Sequence, residues 1–91
     1  MRLLFSTSAR HNADTYREHD AVLWSQLQEA LAAVRDQTPR SRETLLRVLG
    51  GTAWSVEVPV AGRDEQYQVV WACDPHDRST AHIVHLGRRL H

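Results

Sequence analysis

Between residues 23 and 34 the apolar positions Leu23, Leu27, Ala30, Leu31 and Val34 fall at i, i+4, i+7, i+8 and i+11, one continuous stripe of a 3.6-residue period. The spacing predicts a helix that stops before Pro39, because the residue ahead of a proline is pushed out of the α region. From Trp54 onward the period falls to two. Trp54, Val56, Val58 and Val60 alternate with Ser55, Glu57 and Pro59, and Tyr67, Val69, Trp71 and Cys73 alternate with Gln68, Val70 and Ala72. Such alternation marks half-buried strands, and Pro59, which has no N–H for a ladder, predicts an edge or bulge position.

The flanks fill in the order. Leu3 and Phe5 alternate with Arg2, Leu4 and Ser6, a short strand near a sheet edge. Ser6, Thr7 and Ser8 offer N-caps for a short first helix over 9–18, with Ala13 and Tyr16 inward, and Asp20 offers a second cap. Residues 39–52 read as a basic connector with an apolar patch, Leu45, Leu46, Val48 and Leu49, closed by Gly50-Gly51. Ala61-Gly62-Arg63-Asp64-Glu65 reads as a hairpin loop, and Asp74-Pro75-His76-Asp77 as a turn. A last strand is expected over 80–86. The expected fold is therefore α+β: an N-terminal strand, a helical hairpin and a three-stranded antiparallel meander.

A chain of 91 residues buries only about 60 to 65% of its unfolded surface, which predicts a single domain over 1–91. Its apolar runs are far shorter than the roughly 18 residues that span a bilayer, and the run after Arg2 is too short for a secretory signal. The expectation is a cytoplasmic protein with no membrane contact. Cys73 is the only cysteine, so no internal disulfide framework or multi-cysteine zinc site is available; at a strand end it reads as a small buried hydrophobe. His82 and His85 are three apart, on opposite faces of a strand, and cannot share a metal without a bulge. No metal or cofactor is expected. Trp54, Tyr67 and Trp71 share one face with valines, which reads as core rather than a platform for stacked bases.

Net charge is zero, with eleven basic residues, all Arg, against eleven acids. The excess is local: residues 39–50 hold Arg40, Arg42 and Arg47 against Glu43, and Arg88 and Arg89 follow the last acid, Asp77. A protein with a strongly positive nucleic-acid face would carry more. The pattern fits a local anion site, or else solvated loops and a solvated tail.

Several short stretches resemble the RelE/ParE superfamily of bacterial toxins, nearest its YoeB/Txe branch. Met1-Arg2-Leu3-Leu4-Phe5-Ser6 is similar to that branch's opening strand, and Tyr16-Arg17-Glu18-His19-Asp20 sits where its first helix gives way to the second. Leu49-Gly50-Gly51-Thr52-Ala53-Trp54-Ser55 resembles its Leu-x-Gly…Trp-Ser stretch leading into the sheet. Tyr67-Gln68-Val69-Val70-Trp71 resembles its x-Arg-Val-Val-Tyr strand, and Leu86-Gly87-Arg88-Arg89 its Val-Gly-His-Arg ending.

That resemblance implies the toxin of a toxin–antitoxin pair, a ribosome-dependent mRNA endoribonuclease working without metal. A base takes the ribose 2′-OH proton, the oxygen attacks phosphorus, an acid protonates the leaving 5′-oxygen, and cations hold the charge that builds up. The family parts map onto Glu43 as base, His91 as terminal acid, and Arg63, Arg88 and Arg89 as cations. Arg40, Arg42, Arg47, Gln68 and His85 would contact substrate. Two positions depart from the pattern: Gln68 stands where the family has a strand arginine, and Val56-Glu57 replaces a basic pair after Trp-Ser. Loss of one such transition-state partner is worth about 2.7 to 4 kcal/mol, so Arg63, Arg88 or Arg89 would have to fill the space. Implied partners are an antitoxin, the ribosome and mRNA, with a homodimer allowed. The rival readings are a ParE-like gyrase inhibitor and a catalytically silent domain that binds a partner.

Overall fold

Ser6 opens the helical part of the chain. Its Oγ accepts the Ala9 N–H at 3.1 Å, and α1 runs Thr7–His19. Asp20 serves both helices: its own N–H donates to the Tyr16 carbonyl at 2.9 Å, closing α1, and its Oδ1 accepts the Leu23 N–H at 3.2 Å, opening α2, Ala21–Arg35. A side-chain acceptor at that position satisfies a donor that no helical turn can reach. The computed structural model describes residues 1–48 and 50–90, Val48 by its backbone alone. No helix among them is long and apolar enough to cross a membrane.

The strands are β1 Arg2–Phe5, β2 Thr44–Val48, β3 Gly51–Val58, β4 Tyr67–Cys73 and β5 Thr80–Arg88, in one sheet of order β1-β5-β4-β3-β2. β1 runs parallel to β5 and every other pair is antiparallel. The antiparallel part thus has four strands, not the three expected. The apolar patch of the connector is itself a strand: Leu45 pairs with Trp54 and Leu46 with Ala53, across a turn in which Gly50 takes a φ of +85° that favours glycine. What remains of the connector is a 3-10 turn, Pro39–Arg42. Pro59 is at neither an edge nor a bulge, because β3 lies inside the sheet and ends at Val58.

Both helices cover one face, α1 against β5 and α2 against β3 and β4. The predicted stripe, Leu23, Leu27, Ala30, Leu31 and Val34, is buried against Val56, Val58, Val69, Trp71, Ile83 and Leu86. Each fully buried aliphatic side chain contributes about 1.5 to 3 kcal/mol. Trp71 and Tyr67 are core, as their period indicated, and Trp54 is half-buried beside them. The Trp71 Nε1–H donates to the buried Ser41 carbonyl at 2.9 Å, which fixes the 3-10 turn against the end of β4.

Two expectations are corrected here. Cys73 is exposed, not buried, because it is the last residue of β4, paired with Ala81 at the end of the sheet. A bulge between β4 and β5 pairs Val70 with His85 and Trp71 with Ile83, leaving Val84 as the extra residue. The bulge restores one face to His82 and His85, so the two rings share the side away from the helices.

Gly87 has a φ of +131°, and a Cβ built on it would lie 2.8 Å from Tyr16 Oη. Both strain and overlap then fall on any other residue. Gly87→Ala should destabilise the protein by about 1 to 3 kcal/mol, and the cost should shrink when Tyr16→Phe removes the hydroxyl; urea unfolding of the single and double variants measures both.

Candidate functional site

β5 hands its last residues to opposite sides of the sheet. Arg88 pairs with Tyr67 on the helix side, and Gly87 with Gln68 on the other. The ladder continues one step further, Arg89 N–H donating to the Gln66 carbonyl at 2.8 Å, which returns Arg89 to the side away from the helices. Adjacent strand residues cannot share a face. The two arginines expected to act as one clamp are therefore separated.

On the helix side, Arg63 grips Asp20 with both terminal nitrogens, at 2.7 and 2.8 Å, and donates to the Tyr67 hydroxyl at 3.3 Å. The Tyr67 hydroxyl donates to Glu65 Oε2 at 2.7 Å, and Arg88 Nη2 to Glu65 Oε1 at 3.1 Å. The Arg63 hydrogen bond, ahead of the Leu23 N–H, holds the Asp20 carboxyl below the usual carboxylate range. Burial, reinforced by Tyr67, pushes the Tyr16 phenol up. Arg63, expected as a catalytic cation, is half-buried and bound to the helix junction, a structural position.

On the other side, Gln68 is wholly buried. Its Nε2–H donates to Ser55 Oγ at 2.8 Å and its Oε1 accepts the Leu90 N–H at 2.7 Å. It reaches no solvent to meet a substrate. Arg89 Nη1 donates to Gln66 Oε1 at 2.8 Å, and its Nε stands 3.9 Å from Glu57 Oε1. The His85 Nε2–H donates to the Arg88 carbonyl at 2.8 Å; a carbonyl only accepts, so Nε2 carries the proton. Residues 65, 66 and 88–90 line a shallow groove of about 450 Å³.

The connector residues lie elsewhere. β2 begins opposite Ser55, so the Glu57 carbonyl extends past it, and Arg40 Nη2 takes that acceptor at 3.0 Å. The Arg42 guanidinium sits 5.2 Å from the Trp71 ring centre and 5.6 Å from that of Trp54, a cation over aromatic faces. Glu43 is exposed at the end of the 3-10 turn, and Arg47 is exposed on the edge strand. His91 lies outside the described residues. A second hollow, about 510 Å³, at the other end of β4 is lined by Gln37, Arg42, Cys73, Asp74, Pro75 and Arg78. Beside it His82 Nε2 meets Asp74 Oδ2 at 2.6 Å, and that contact holds the Asp74 carboxyl low.

Gln68, His85 and Arg89 are thus the expected residues that come together on one face, joined by Glu57, noted above only as a departure from the family pattern, and by Ser55, Gln66 and Leu90, which the sequence did not single out. The register alone marks them: Glu57 pairs with Gln68, and position 66 is two before it. The architecture is shared by solved structures. The YoeB dimer from Staphylococcus aureus is 14% identical with a TM-score of 0.72, over 98% of this chain and 97% of that one. The fold is that of the YoeB-type toxins. A YoeB/ParE toxin from Agrobacterium tumefaciens is 15% identical with a TM-score of 0.72, over 98% of this chain and 99% of that one. No protein-family model matches the sequence, and no curated protein does. In this YoeB-like fold the face away from the helices carries cations that already have internal partners.

A carboxyl whose folded pKa is depressed adds stability above its ordinary value, near 3.9, and loses it as pH falls through the folded value. Arg63→Gln should therefore lower the melting temperature at pH 7, while the gap to the unaltered protein closes as pH falls below the ordinary carboxylate range and Asp20 becomes protonated in the folded state. An equal gap at pH 7 and in acid would assign the loss to packing, not to the Asp20 pair.

Proposed function

We propose that this chain is the toxin of a toxin–antitoxin pair, acting in the cytoplasm as a ribosome-dependent mRNA endoribonuclease. The observation that carries the reading is the match in fold, over nearly the whole chain, to YoeB-type toxin structures at a TM-score of 0.72. The Staphylococcus aureus protein is described as a dimer, and a homodimer is proposed here too, alongside an antitoxin partner.

In this reading Glu43 takes the ribose 2′-OH proton, the oxygen attacks the adjacent phosphorus, and His91 protonates the leaving 5′-oxygen. The products are a 2′,3′-cyclic phosphate and a free 5′-hydroxyl. Arg89, with Arg88 swinging off the exposed Glu65, would hold the phosphorane charge, which exists mainly in the transition state. Arg40 and Arg47 would follow the RNA backbone, each phosphate contact steepening the salt dependence by roughly 0.7 for a single strand. Arg63 and Gln68 keep structural roles.

A second reading is favoured by one observation: the position of the family's strand arginine is a buried Gln68 already bound to Ser55 and Leu90. A binding toxin of the ParE sort, or a silent partner-binding domain, needs no acid–base set.

Expression should arrest growth, and purified protein should cut ribosome-bound mRNA, with Glu43→Gln slowing cleavage by about 100-fold or more. Primer extension on mRNA from treated ribosomes reads this directly. Intact mRNA with inhibited gyrase supercoiling would move the function to the ParE-like reading, and intact mRNA with active gyrase to the silent one.

A further inference from the structure

The sheet face away from the helices is closed at its centre. Ser55, Gln68 and Val70 lie on it, yet are only 1%, 0% and 3% exposed, whereas a bare strand face would leave them half open. A buried primary amide must place both its ends. Gln68 gives its Nε2–H to Ser55 and receives at Oε1 the backbone N–H of Leu90. The second bond comes from a residue that has left the ladder, since the last rung of β5 is Arg89 N–H to the Gln66 carbonyl. The chain turns from there onto the sheet face. Arg89 is held as it goes, by Gln66 Oε1 at 2.8 Å and by the Glu57 carboxylate at 3.9 Å.

These groups have one chemistry. Gln68 Oε1 and Gln66 Oε1 meet the segment as acceptors, Glu57 is an anion, and one Gln68 Nε2–H is taken by Ser55 Oγ. They suit an extended peptide segment that offers a backbone N–H and a guanidinium. A phosphate, whose oxygens accept and repel a carboxylate, suits them poorly.

We propose that Ser55, Glu57, Gln66 and Gln68 form a peptide-binding cradle whose ligand is the chain's own segment 88–90, a strap that holds Arg89 on Glu57 and Gln66 and so keeps polyanions from that side chain until the strap lifts. The exclusion of polyanions rests on the ribonuclease reading above; the cradle itself does not. Lifting the strap does two things. It takes Arg89 away from Glu57 and Gln66, and it opens that guanidinium to the phosphates of an RNA backbone.

Two variants test the proposal on the full chain. Ser55→Ala with Gln68→Leu removes both members of the buried pair, and the one group left without its partner, the Leu90 N–H, can turn to water. Leu90→Pro removes the N–H and fixes φ at a residue that is 65% exposed and lies beyond β5, so the packed core is not disturbed. In the first, amide exchange at Leu90 should speed up by about 2- to 12-fold, the weight of one ordinary hydrogen bond. In the second, the Gln68 side-chain amide resonances should shift. Both variants should bind a fluorescein-labelled single-stranded oligo(A) more tightly by a similar factor. A Leu90 amide as fast in the unaltered protein as in the first variant, with Gln68 resonances unmoved in the second, would overturn the cradle. A released strap with oligo(A) binding unchanged or weaker would overturn the exclusion. The amide measurements read the strap whether or not mRNA is cut, so a protein with a protected Leu90 and no nuclease activity keeps the cradle and loses only the ribonuclease reading.

Discussion

β4 is buried on both sides, and much of the structure follows from having to satisfy that strand. Residues 67–71 are all buried. Tyr67, Val69 and Trp71 pack toward the helices, while Gln68 and Val70 point the other way. Polar atoms placed there must be bonded, because an unmet buried donor or acceptor costs about 1 to 3 kcal/mol. The indole N–H of Trp71 takes the Ser41 carbonyl, which seats the 3-10 turn and sets Arg42 over the rings. The amide of Gln68 takes Ser55 and Leu90. The connector and the C-terminal segment are thus both located by polar atoms of one strand. No buried side-chain nitrogen or oxygen among the described residues lacks a partner.

The elements that were readable in the sequence are those set by local rules. The α2 stripe, the caps at Ser6 and Asp20, and the alternation of β3 and β4 each depend on residues within a few positions. β2 does not stand out in the sequence because the segment ahead of it, Pro39–Arg42, is rich in Pro and Arg and reads as a loop, although the Gly50-Gly51 after it is a hairpin signal. The bulge at Val84 leaves no trace in composition, and it changes the side on which His85 lies. The exposure of Cys73 depends on where the sheet ends, which alternation does not reveal. Arg88 and Arg89 are adjacent in sequence, yet strand geometry places them on opposite faces once β5 reaches Arg88. The Asp20–Arg63 contact spans 43 positions, and no local pattern could have indicated it.

A formal charge of zero is built here from neighbouring opposites. Arg63 with Asp20, Arg88 with Glu65, Arg89 with Glu57 and Arg35 with Asp36 all lie within 4 Å. Their strengths differ with exposure. Arg88 and Glu65 are largely in water, where such pairs are worth about 0 to 1 kcal/mol, and a phosphate can displace the acid readily. Arg63 and Asp20 are each less than a third exposed, with two short bonds and a helix cap sharing the carboxylate. The first pair is an adjustable part of the surface and the second a fixed part of the frame.

The sulfur at the end of β4 has a simple stoichiometric meaning. Since the chain has one cysteine and that thiol faces water, any disulfide it makes must join two molecules, and any thiol-directed dye must attach at one known point. That point is five residues along the strand from Gln68, far enough from the C-terminal segment to report on it without touching it.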